Sequence, residues 1–428
     1  MSRGYVQSAA ELSAYVTNKR KLPPEFSPQE HLIINTPATL DFNSPGAQGF
    51  GVKRAGLAVP GSVMLLVAPR CCGRNTSALA GDEDLKSRFA YLLLDDKDII
   101  TGRHLPHIAD AAEAFVRSRP QPPTAMMICI TCVDALLGTD MERVCRQVEE
   151  RLGIPSRPCY MYALTRESIR PPMVAVRETV YSLLKPVPRQ RDAVNLLGYF
   201  APLDDDTELY DLLRQAGVKH IRELARAKNY AEYLELGKAN FNLVLNAEAR
   251  GAANWFQREL NIPAAEITRL YDTNMIARQY EILAATLHIN WNFGSHRARA
   301  EAAIKSFVSA HGGVNISVGS RLNANPFELA LALAHCGLNV KEILCAPAPQ
   351  DMAYIKKLGE VSPNTKIYNH LAPIMLNFRV TDPIDLALGK DAHYYHPEAK
   401  AVYWHSEVQP YGFSAVRQLF TAMEKALA

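Results

Sequence analysis

The sequence lacks several features that would place the protein in other classes. Nowhere in its 428 residues does a run of about 18 apolar residues occur, so nothing predicts a membrane-spanning helix. The chain has no block of Lys and Arg, and its formal net charge is only +3. That balance argues against nucleic acid as the main partner, because neutralising phosphates requires a basic face. Residues 1–21 are polar and lack an apolar signal core, so we expect a cytoplasmic protein.

Cysteine is scarce and unevenly placed. The chain has eight cysteines; none precedes Cys71, and six lie before residue 160. In a cytoplasmic chain they are expected to be buried thiols, metal ligands or redox groups rather than a disulfide framework. Five of them lie in apolar or amphipathic runs and are predicted to be core residues: Cys129, Cys145, Cys159, Cys336 and Cys345.

The pattern that is present is that of an α/β protein. Short apolar runs alternate with amphipathic stretches, which predicts βαβ units and parallel sheets. The chain is also too long for one ordinary domain. We predict three Rossmann-like, doubly wound parallel-sheet domains over residues 1–191, 192–294 and 295–428, with a proline-flanked linker at 185–189 between the first two.

The same patterning predicts individual elements. Strands are expected at 63–68, 126–131, 159–163, 195–200, 218–222, 242–246, 314–319, 340–345 and 401–404. Helices are expected at 109–117, 141–152, 171–186, 208–215, 252–260, 274–288, 298–311, 325–336 and 351–358, with a final helix that ends at residue 428.

Two of the remaining cysteines follow predicted strands. Cys72 comes shortly after the apolar run 63–68, and Cys132 ends the run 126–132. Buried parallel strands that stop at cysteine place thiols at the carboxyl edge of a sheet, where ligands of open α/β sheets bind. A thiolate there suits an iron–sulfur cluster or zinc, although the spacing matches neither a ferredoxin run nor a zinc finger. Buried structural thiols are the alternative interpretation.

Four segments carry a family resemblance: PRCCG at 69–73, LDDKDIITG at 94–102, TCVDALLGTD at 131–140, and WHS at 404–406 followed by PYGF at 410–413. In that order they resemble the Pro-Val-Gly-Cys-Gly, Thr-Glu-Lys-Asp-Ile-Val-Phe-Gly, Thr-Cys-x-x-x-Leu-Ile-Gly-Asp-Asp and His-Ser…Gly-Pro-Tyr-x-Gly-Phe segments of nitrogenase component 1 subunits and their relatives. The relatives include the subunits of dark-operative protochlorophyllide reductase and of the reductase in nickel-tetrapyrrole (coenzyme F430) biosynthesis. The resemblance spans most of the chain from about residue 61.

The resemblance implies an iron–sulfur cofactor. It places Cys72 and Cys132 on cluster-ligand positions, with Cys71 beside them as a further ligand or a redox-active thiol. Residues 44–53 and 291–308 contain no cysteine, unlike the corresponding regions of nitrogenase, so the eight-iron cluster and the molybdenum-type cofactor are not expected. A single [4Fe–4S] cluster at a subunit interface fits the cysteine supply, with two thiolates from each chain. Whether a second metallocofactor is present stays open.

The resemblance also implies partners and an activity. The chain has no Gly-x-x-x-x-Gly-Lys-Ser/Thr loop, so coupling to ATP would come from a separate ATP-dependent iron–sulfur reductase, docked in part on residues 95–102 and the helix after Cys132. The subunit would form a homodimer, or a heterodimer with a similar component 1 chain, and reduce a substrate bound between the three domains. His405 and Glu407 are the predicted catalytic residues, with His393 and His396 as further polar candidates or parts of an exposed aromatic turn.

Three alternatives stay open from the sequence. The chain could be a metallocluster assembly scaffold that turns over no substrate. It could be a heterodimer partner whose site residues lie on the other chain. It could also be a zinc protein, since the cysteines alone do not distinguish zinc from iron.

Overall fold

The structure is a computed structural model that describes residues 6–23, 26, 51–69, 83–131, 133, 136–160, 172–372, 375, 378 and 382–428. Its strands are β1 (Val6–Ser8), β2 (Val63–Ala68), β3 (Phe89–Leu93), β4 (Met126–Ile130), β5 (Ser156–Tyr160), β6 (Gln190–Leu197), β7 (His220–Arg222), β8 (Ala239–Val244), β9 (Ala264–Glu266), β10 (Asn315–Gly319), β11 (Asn339–Leu344), β12 (Lys366–Tyr368), β13 (Leu386–Leu388) and β14 (Lys400–Val402).

The helices follow the same chain order. They are α1 (Ala9–Thr17), α2 (Gly51–Gly56), α3 (Glu83–Ser87), α4 (Asp96–Thr101), α5 (His104–Arg117), α6 (Met141–Leu152), α7 (Pro172–Tyr181), α8 (Glu208–Gln215), α9 (Tyr230–Leu234), α10 (Arg250–Leu260), α11 (Thr273–Leu287), α12 (Gly294–His311), α13 (Pro326–His335), α14 (Met352–Val361), α15 (Lys390–Tyr395) and α16 (Gly412–Leu427).

These elements group into two compact units. One, the two-sheet unit, comprises Gly49–Pro202 and Val218–Thr268. The other, the six-stranded unit, comprises Met1–Gln48, Leu203–Gly217 and Arg269–Ala428. The segment Leu203–Gly217, with α8, therefore belongs to the same unit as the C-terminal part of the chain. The boundaries of the three predicted domains stay a prediction.

The two-sheet unit contains two parallel four-stranded sheets, ordered β3-β2-β4-β5 and β7-β6-β8-β9. Every residue of β2 and β4 is buried, as expected for central strands of a sheet covered on both faces. One face of the first sheet packs against α5 and α6. The other face shares a core with α7, α10 and residues of β8, so one apolar core serves both sheets.

The six-stranded unit is built around a sheet ordered β1-β12-β11-β10-β13-β14. All neighbouring strands are parallel except β1, which pairs antiparallel with β12. Helix α13 begins after Asn325, whose side chain accepts from the Phe327 and Glu328 amides, and has proline at its first position. Eight of its ten residues are buried, which makes it the central helix of this unit.

A buried carboxylate joins α8 to α16. Glu208 accepts from the Phe413 and Ser414 amides at 2.7 and 3.1 Å and from the Tyr280 hydroxyl at 2.9 Å. It thereby satisfies amides at the start of α16 that no helix can bond internally. Gly412 (φ +69°) leaves no room for a side chain here, since an added Cβ would lie 1.9 Å from the Glu208 carboxylate. Close packing against Glu208 therefore explains why the segment PYGF has a glycine at position 412.

The predicted fold class is confirmed. The strand 63–68 and the helices 141–152 and 208–215 have the predicted bounds, because each combines a clear apolar period with a cap or turn residue at its end. The predictions missed the three-residue strands β1, β9, β12 and β13, which are too short to show a period, and β3, which is apolar but only half-buried. The predicted strand at 159–163 begins earlier, at Ser156, and its last three residues lie outside the described part of the chain.

Candidate functional site

The first candidate site lies where two strands of the first sheet end side by side. In the order β3-β2-β4-β5 the chain leaves β2 toward β3 and returns to β4, so the topological switch point falls between β2 and β4. Ligands of open α/β sheets bind at such a point. Val67 pairs with Ile130 in register, and Cys72 and Cys132 follow these two strands in the sequence. Cys71, Cys72 and Cys132 themselves lie outside the described residues.

The chemistry at these strand ends fits the implied cluster. Thiolates are the usual ligands of iron–sulfur clusters. Thr131, directly before Cys132, is buried, and its hydroxyl has no hydrogen-bond partner within the described residues. A hydroxyl in this position suits the sulfur atoms of a bound cluster, whose reduction potential depends on such hydrogen bonds.

The second candidate site is the carboxyl edge of the six-stranded sheet. The chain leaves β10 toward β11 and β12 and then returns to β13 and β14, so the switch point falls between β10 and β13. Asp391 fills it: its carboxylate accepts from the Ser320 amide and hydroxyl, both at 2.7 Å, and from the Arg321 amide at 3.2 Å. Gly319 and Gly389 allow this approach, since an added Cβ on either would lie within 3 Å of Asp391.

His405 lies at this edge on a turn that is held from two sides. The Asn323 amide donates to the Trp404 carbonyl at 2.7 Å, and the Asn323 side chain donates to the Ser406 carbonyl at 2.9 Å. The Trp404 indole donates to the Tyr271 hydroxyl at 2.6 Å, which donates to the Asn323 carbonyl at 2.6 Å. Trp404 has φ +45°, a left-handed conformation that costs a bulky residue free energy and marks the turn as constrained by its surroundings.

The His405 imidazole is half-buried beside the Tyr403 ring, with the ring centroids 6.0 Å apart. Burial lowers the pKa of His405; the charge of Lys390 acts in the same direction, and a hydrogen bond with the Tyr403 backbone opposes both. The neutral imidazole is therefore favoured at neutral pH. Glu407 is exposed two residues further along the same turn. The catalytic roles of His405 and Glu407 stay predictions.

Three further groups line the same edge, on the β10, β11 and β12 side. Arg321, Cys345 and His370 each follow the end of one of these neighbouring strands by one or two residues. The Ala346 amide donates to His370 Nδ1 at 2.8 Å, so the ring proton belongs on Nε2. Burial, assisted by the charge of Arg321, lowers the pKa of His370 to about 4.

The thiol of Cys345 stays protonated. Burial raises its pKa; the carboxylates of Asp351 and Asp391 add to the shift, and Arg321 opposes it. The prediction of core positions holds for Cys129, Cys145 and Cys159, which are buried. It is wrong for Cys336 and Cys345, which are half-buried because each directly follows the end of a helix or strand.

The other two candidate histidines, His393 and His396, differ in burial and in hydrogen-bond partners. His396 is buried and pairs with Glu342, which also accepts from the Ser317 hydroxyl at 2.8 Å. The expectation of an exposed turn is therefore wrong for His396, which forms part of a buried polar pair inside the six-stranded unit. His393 is half-buried, and its Nδ1 lies 3.2 Å from the Tyr403 hydroxyl.

The crevice of the second sheet is closed by its own side chains. Its switch point falls between β6 and β8, where Gly198 approaches Asn246 so closely that an added Cβ would lie 2.9 Å from the Asn246 amide nitrogen. Buried Arg177, from α7, donates to the Gly198 carbonyl at 3.1 Å, pairs with Glu248 at 2.7 Å, and lies 5.0 Å over the Phe200 ring.

Sequence reasoning missed Arg321, Asn323 and His370. The signal available was their position directly after apolar runs, but β12 is only three residues long and was not recognised as a strand. Within the residues that the structure describes, no three His, Cys, Asp or Glu side chains come together as a set of metal ligands. Nor is any described helix both long and apolar enough to cross a bilayer.

The sheet order and the polar groups at two strand-end edges are those of an open α/β protein with its candidate ligand sites at topological switch points. The chain belongs to the family of nitrogenase component 1 type oxidoreductases, whose family model matches residues 47–403. The expected family is thereby confirmed. A solved structure titled Nitrogenase Cp1 at pH 6.5 superposes with a TM-score of 0.67, at 12% identity and covering 94% of both chains, which shows the shared fold.

Two curated relatives match part of the chain. One light-independent protochlorophyllide reductase subunit, from Methylobacterium sp. (strain 4-46), is 33% identical over 170 residues, covering 37% of this chain and 32% of the relative. Nitrogenase iron-molybdenum cofactor biosynthesis protein NifE of Klebsiella pneumoniae is 24% identical over 168 residues, covering 36% of each. The aligned part thus spans about a third of the length of these relatives.

Proposed function

We propose that the protein is a subunit of a nitrogenase-like reductase. Cys72 and Cys132, with Cys71 beside them, hold a [4Fe–4S] cluster at the interface of a homodimer, or of a heterodimer with a similar component 1 chain. An ATP-dependent iron–sulfur reductase delivers low-potential electrons to this cluster. A substrate held against the carboxyl edge of the six-stranded sheet receives them, with His405 and Glu407 at that edge as hydrogen-bonding or proton-donating groups. The reducing cytoplasm suits its free thiols.

The turn that carries His405 is the observation that supports a catalytic subunit. A chain that only stores a cluster needs its cysteines and nothing more. This chain in addition holds a neutral imidazole at a second sheet edge, on a turn fixed by four hydrogen bonds through Asn323 and Tyr271. Such fixed polar groups are what a reaction site requires, because catalysis depends on groups held in place before the substrate binds.

The cluster is tested by anaerobic purification, iron, zinc and sulfide analysis, and low-temperature EPR of the reduced protein. We expect about four irons with matching sulfide per dimer, and loss of the EPR signal in Cys72→Ala. Cys336→Ala is the matched control, since Cys336 is a half-buried thiol that caps α13. Absence of iron after anaerobic reconstitution, or zinc in its place, would overturn the electron-transfer proposal.

A metallocluster assembly scaffold is the second candidate, and the cofactor biosynthesis protein among the relatives favours it. The two functions differ in the fate of the cluster. A reductase subunit, given its reductase component and ATP, is oxidised and re-reduced in cycles and keeps its iron. A scaffold releases iron and sulfide to an acceptor protein, so iron that leaves with the acceptor during the reaction would favour the scaffold.

A further inference from the structure

A buried carboxyl group, that of Glu328 on α13, lies behind the turn that carries His405. Glu328 is 1% exposed, and its Oε1 accepts from the Tyr271 and Asp272 amides at 2.8 and 3.1 Å. Its Oε2 is buried too and has no hydrogen-bond partner among the described residues. In this setting the protonated carboxyl group is favoured, because a buried charge without a partner is costly.

The ionisable groups around Glu328 strengthen this preference. The carboxylate of Asp272, just before α11, opposes a second negative charge, and exposed His335 offsets it only in part, with Nδ1 2.6 Å from Asp272 Oδ2. Tyr354 on α14 and Asp351 before it bring no positive charge. Burial therefore raises the pKa of Glu328 to about 8, and the two amide hydrogen bonds oppose this shift only in part.

Hydrogen bonds lead from Glu328 to the turn. Tyr271, whose amide donates to Glu328, accepts at its hydroxyl from the Trp404 indole at 2.6 Å and donates to the Asn323 carbonyl at 2.6 Å. Asn323 in turn donates to the Trp404 and Ser406 carbonyls at 2.7 and 2.9 Å. Tyr271 therefore joins the carboxyl group to the Trp404 side chain.

Loss of the proton acts on the side of this arrangement that can move. Eight of the ten residues of α13 are buried, so Glu328 cannot reach water without disrupting the core of the unit. Tyr271 and Asp272 instead belong to the loop between β9 and α11, and their movement admits water to the carboxylate. Trp404 has φ +45°, a conformation that persists only while its surroundings enforce it, so it relaxes once Tyr271 withdraws.

We propose that the proton on Glu328 is a pH-sensitive switch for the turn that carries His405. With the proton bound, Tyr271 holds the Trp404 indole and the turn is fixed. When the proton is lost to solvent, the loop of Tyr271 and Asp272 withdraws from the carboxylate, and Trp404 loses its hydrogen bond to Tyr271. The regulatory meaning of the switch rests on the proposed function, in which His405 acts at this sheet edge.

The test is ¹⁹F NMR of the full-length protein labelled with 5-fluorotryptophan, from about pH 7 to about pH 9. The chain has three tryptophans, and the Trp404 signal is assigned by its loss in Trp404→Phe. We expect this signal to shift with a one-proton midpoint near pH 8, while the signals of Trp255 and Trp291 stay constant. Titration of His405 falls outside the range, because its pKa is lowered.

Three variants assign the response. Glu328→Gln can still accept from the two amides but has no proton to lose, so its Trp404 signal should keep the neutral-pH position throughout. Tyr271→Phe lacks the hydroxyl that joins the loop to Trp404 and should abolish the response. Exposed Glu301→Gln is the control and should titrate as the wild type does. A constant Trp404 signal in the wild type, or an unchanged titration in Glu328→Gln or Tyr271→Phe, would overturn the proposal.

Asp272→Asn keeps the proposal testable if Glu328→Gln does not fold. The asparagine can still accept from the Asn274 and Met275 amides at the start of α11 but carries no charge. Without the repulsion from Asp272, Glu328 loses its proton more readily, so the midpoint of the Trp404 signal should move to lower pH. An unchanged midpoint would mean that the titrating group is not Glu328.

The failure of this inference and the failure of the proposed function give different results. The ¹⁹F signals need neither a cluster nor turnover, whereas iron content and the EPR signal of the same preparation report the cluster. A Trp404 titration in protein that binds no iron would leave a pH-sensitive turn without electron transfer. A cluster together with a constant Trp404 signal would leave the reductase without this switch.

Discussion

The crevices of the second sheet and of the six-stranded sheet are both filled by a side chain of the protein, but with opposite results. In the second sheet Arg177 bonds Gly198, pairs with Glu248 and covers Phe200, so the crevice becomes part of the interior. In the six-stranded sheet Asp391 fills only the switch point, and half-buried His370, Arg321 and His405 stay at the edge on either side. A sheet edge in this fold therefore stays open to a ligand only where its flanking residues are left at the surface.

The largest expected effect comes from removing Asp391. Asp391→Ala strips the Ser320 amide and hydroxyl and the Arg321 amide of their acceptor in a buried position, and should lower the free energy of unfolding by about 3–5 kcal/mol. Because the freed amides form an anion-binding site, phosphate or acetate should restore part of the loss. Urea denaturation with and without the anions measures both effects.

Asp206→Ala is the matched control for Asp391. Its carboxylate is exposed and pairs with an exposed arginine, so the loss should stay within about 0.5 kcal/mol. If Asp391→Ala unfolds no more readily than this control, the hydrogen bonds of Asp391 do not stabilise the edge of the six-stranded sheet. The comparison of the two crevices would then be wrong for this sheet.

The second expected effect is a pH dependence of stability through Glu328. This carboxyl group bonds the backbone of Tyr271, whose hydroxyl supports the turn that carries His405. Its Oε1 accepts from the Tyr271 and Asp272 amides at 2.8 and 3.1 Å, while Oε2 is buried without a partner among the described residues. Burial raises the pKa of Glu328 to about 8. The folded state thus holds the proton more tightly than the unfolded state, and this group's contribution to stability is complete at pH values below its ordinary pKa.

That contribution is lost as the pH rises toward 8, because the folded state must then bury a carboxylate or release the group. Glu328→Gln should remove this dependence and leave the variant more stable than the wild type at pH 8, by on the order of 3 kcal/mol. Denaturation curves across this pH range provide the measurement. Exposed Glu301→Gln should follow the wild type, and a wild type whose stability is flat over the range would contradict the prediction.

The third effect tests the closed crevice. Arg177→Met removes the hydrogen bonds to Gly198 and Met173 and the pair with half-exposed Glu248, and should destabilise the two-sheet unit by about 2–4 kcal/mol. Hydrogen exchange of the β6 and β8 amides reports this unit separately. Arg258→Met, an exposed arginine on α10, should change exchange little. Equal exchange of the β6 and β8 amides in Arg177→Met and Arg258→Met would show that Arg177 does not close this crevice.

The smallest effect concerns the electrostatics of the open edge. Lys390 lowers the pKa of His405, so Lys390→Gln should raise it, with the imidazole signals titrating at higher pH in an NMR series. Lys400→Gln, an exposed lysine at the start of β14, is the control. An unchanged His405 titration in Lys390→Gln would show that the charge of Lys390 does not contribute to the pKa of His405.

Much of the fold could be predicted, and the site only in part. Long buried strands such as β2 and capped helices such as α6 can be predicted from the local apolar pattern and from the residues at their ends. His405 and the cysteines could be singled out because local motifs contain them. Arg321 and His370 could not be singled out. They share one sheet edge only because strands that are far apart in the sequence are adjacent in the sheet.

The sequence by itself determined the family, the α/β class and the supply of thiols, because these depend on local patterns and on which residues exist. The tertiary structure decided which sheet edge is closed and which is open. It assigned the buried carboxylate of Glu208 to the amides of α16, and set Asp391 against amides 70 or more residues away. Those outcomes follow from strand order and from the need to satisfy buried polar groups, which no local stretch of sequence contains.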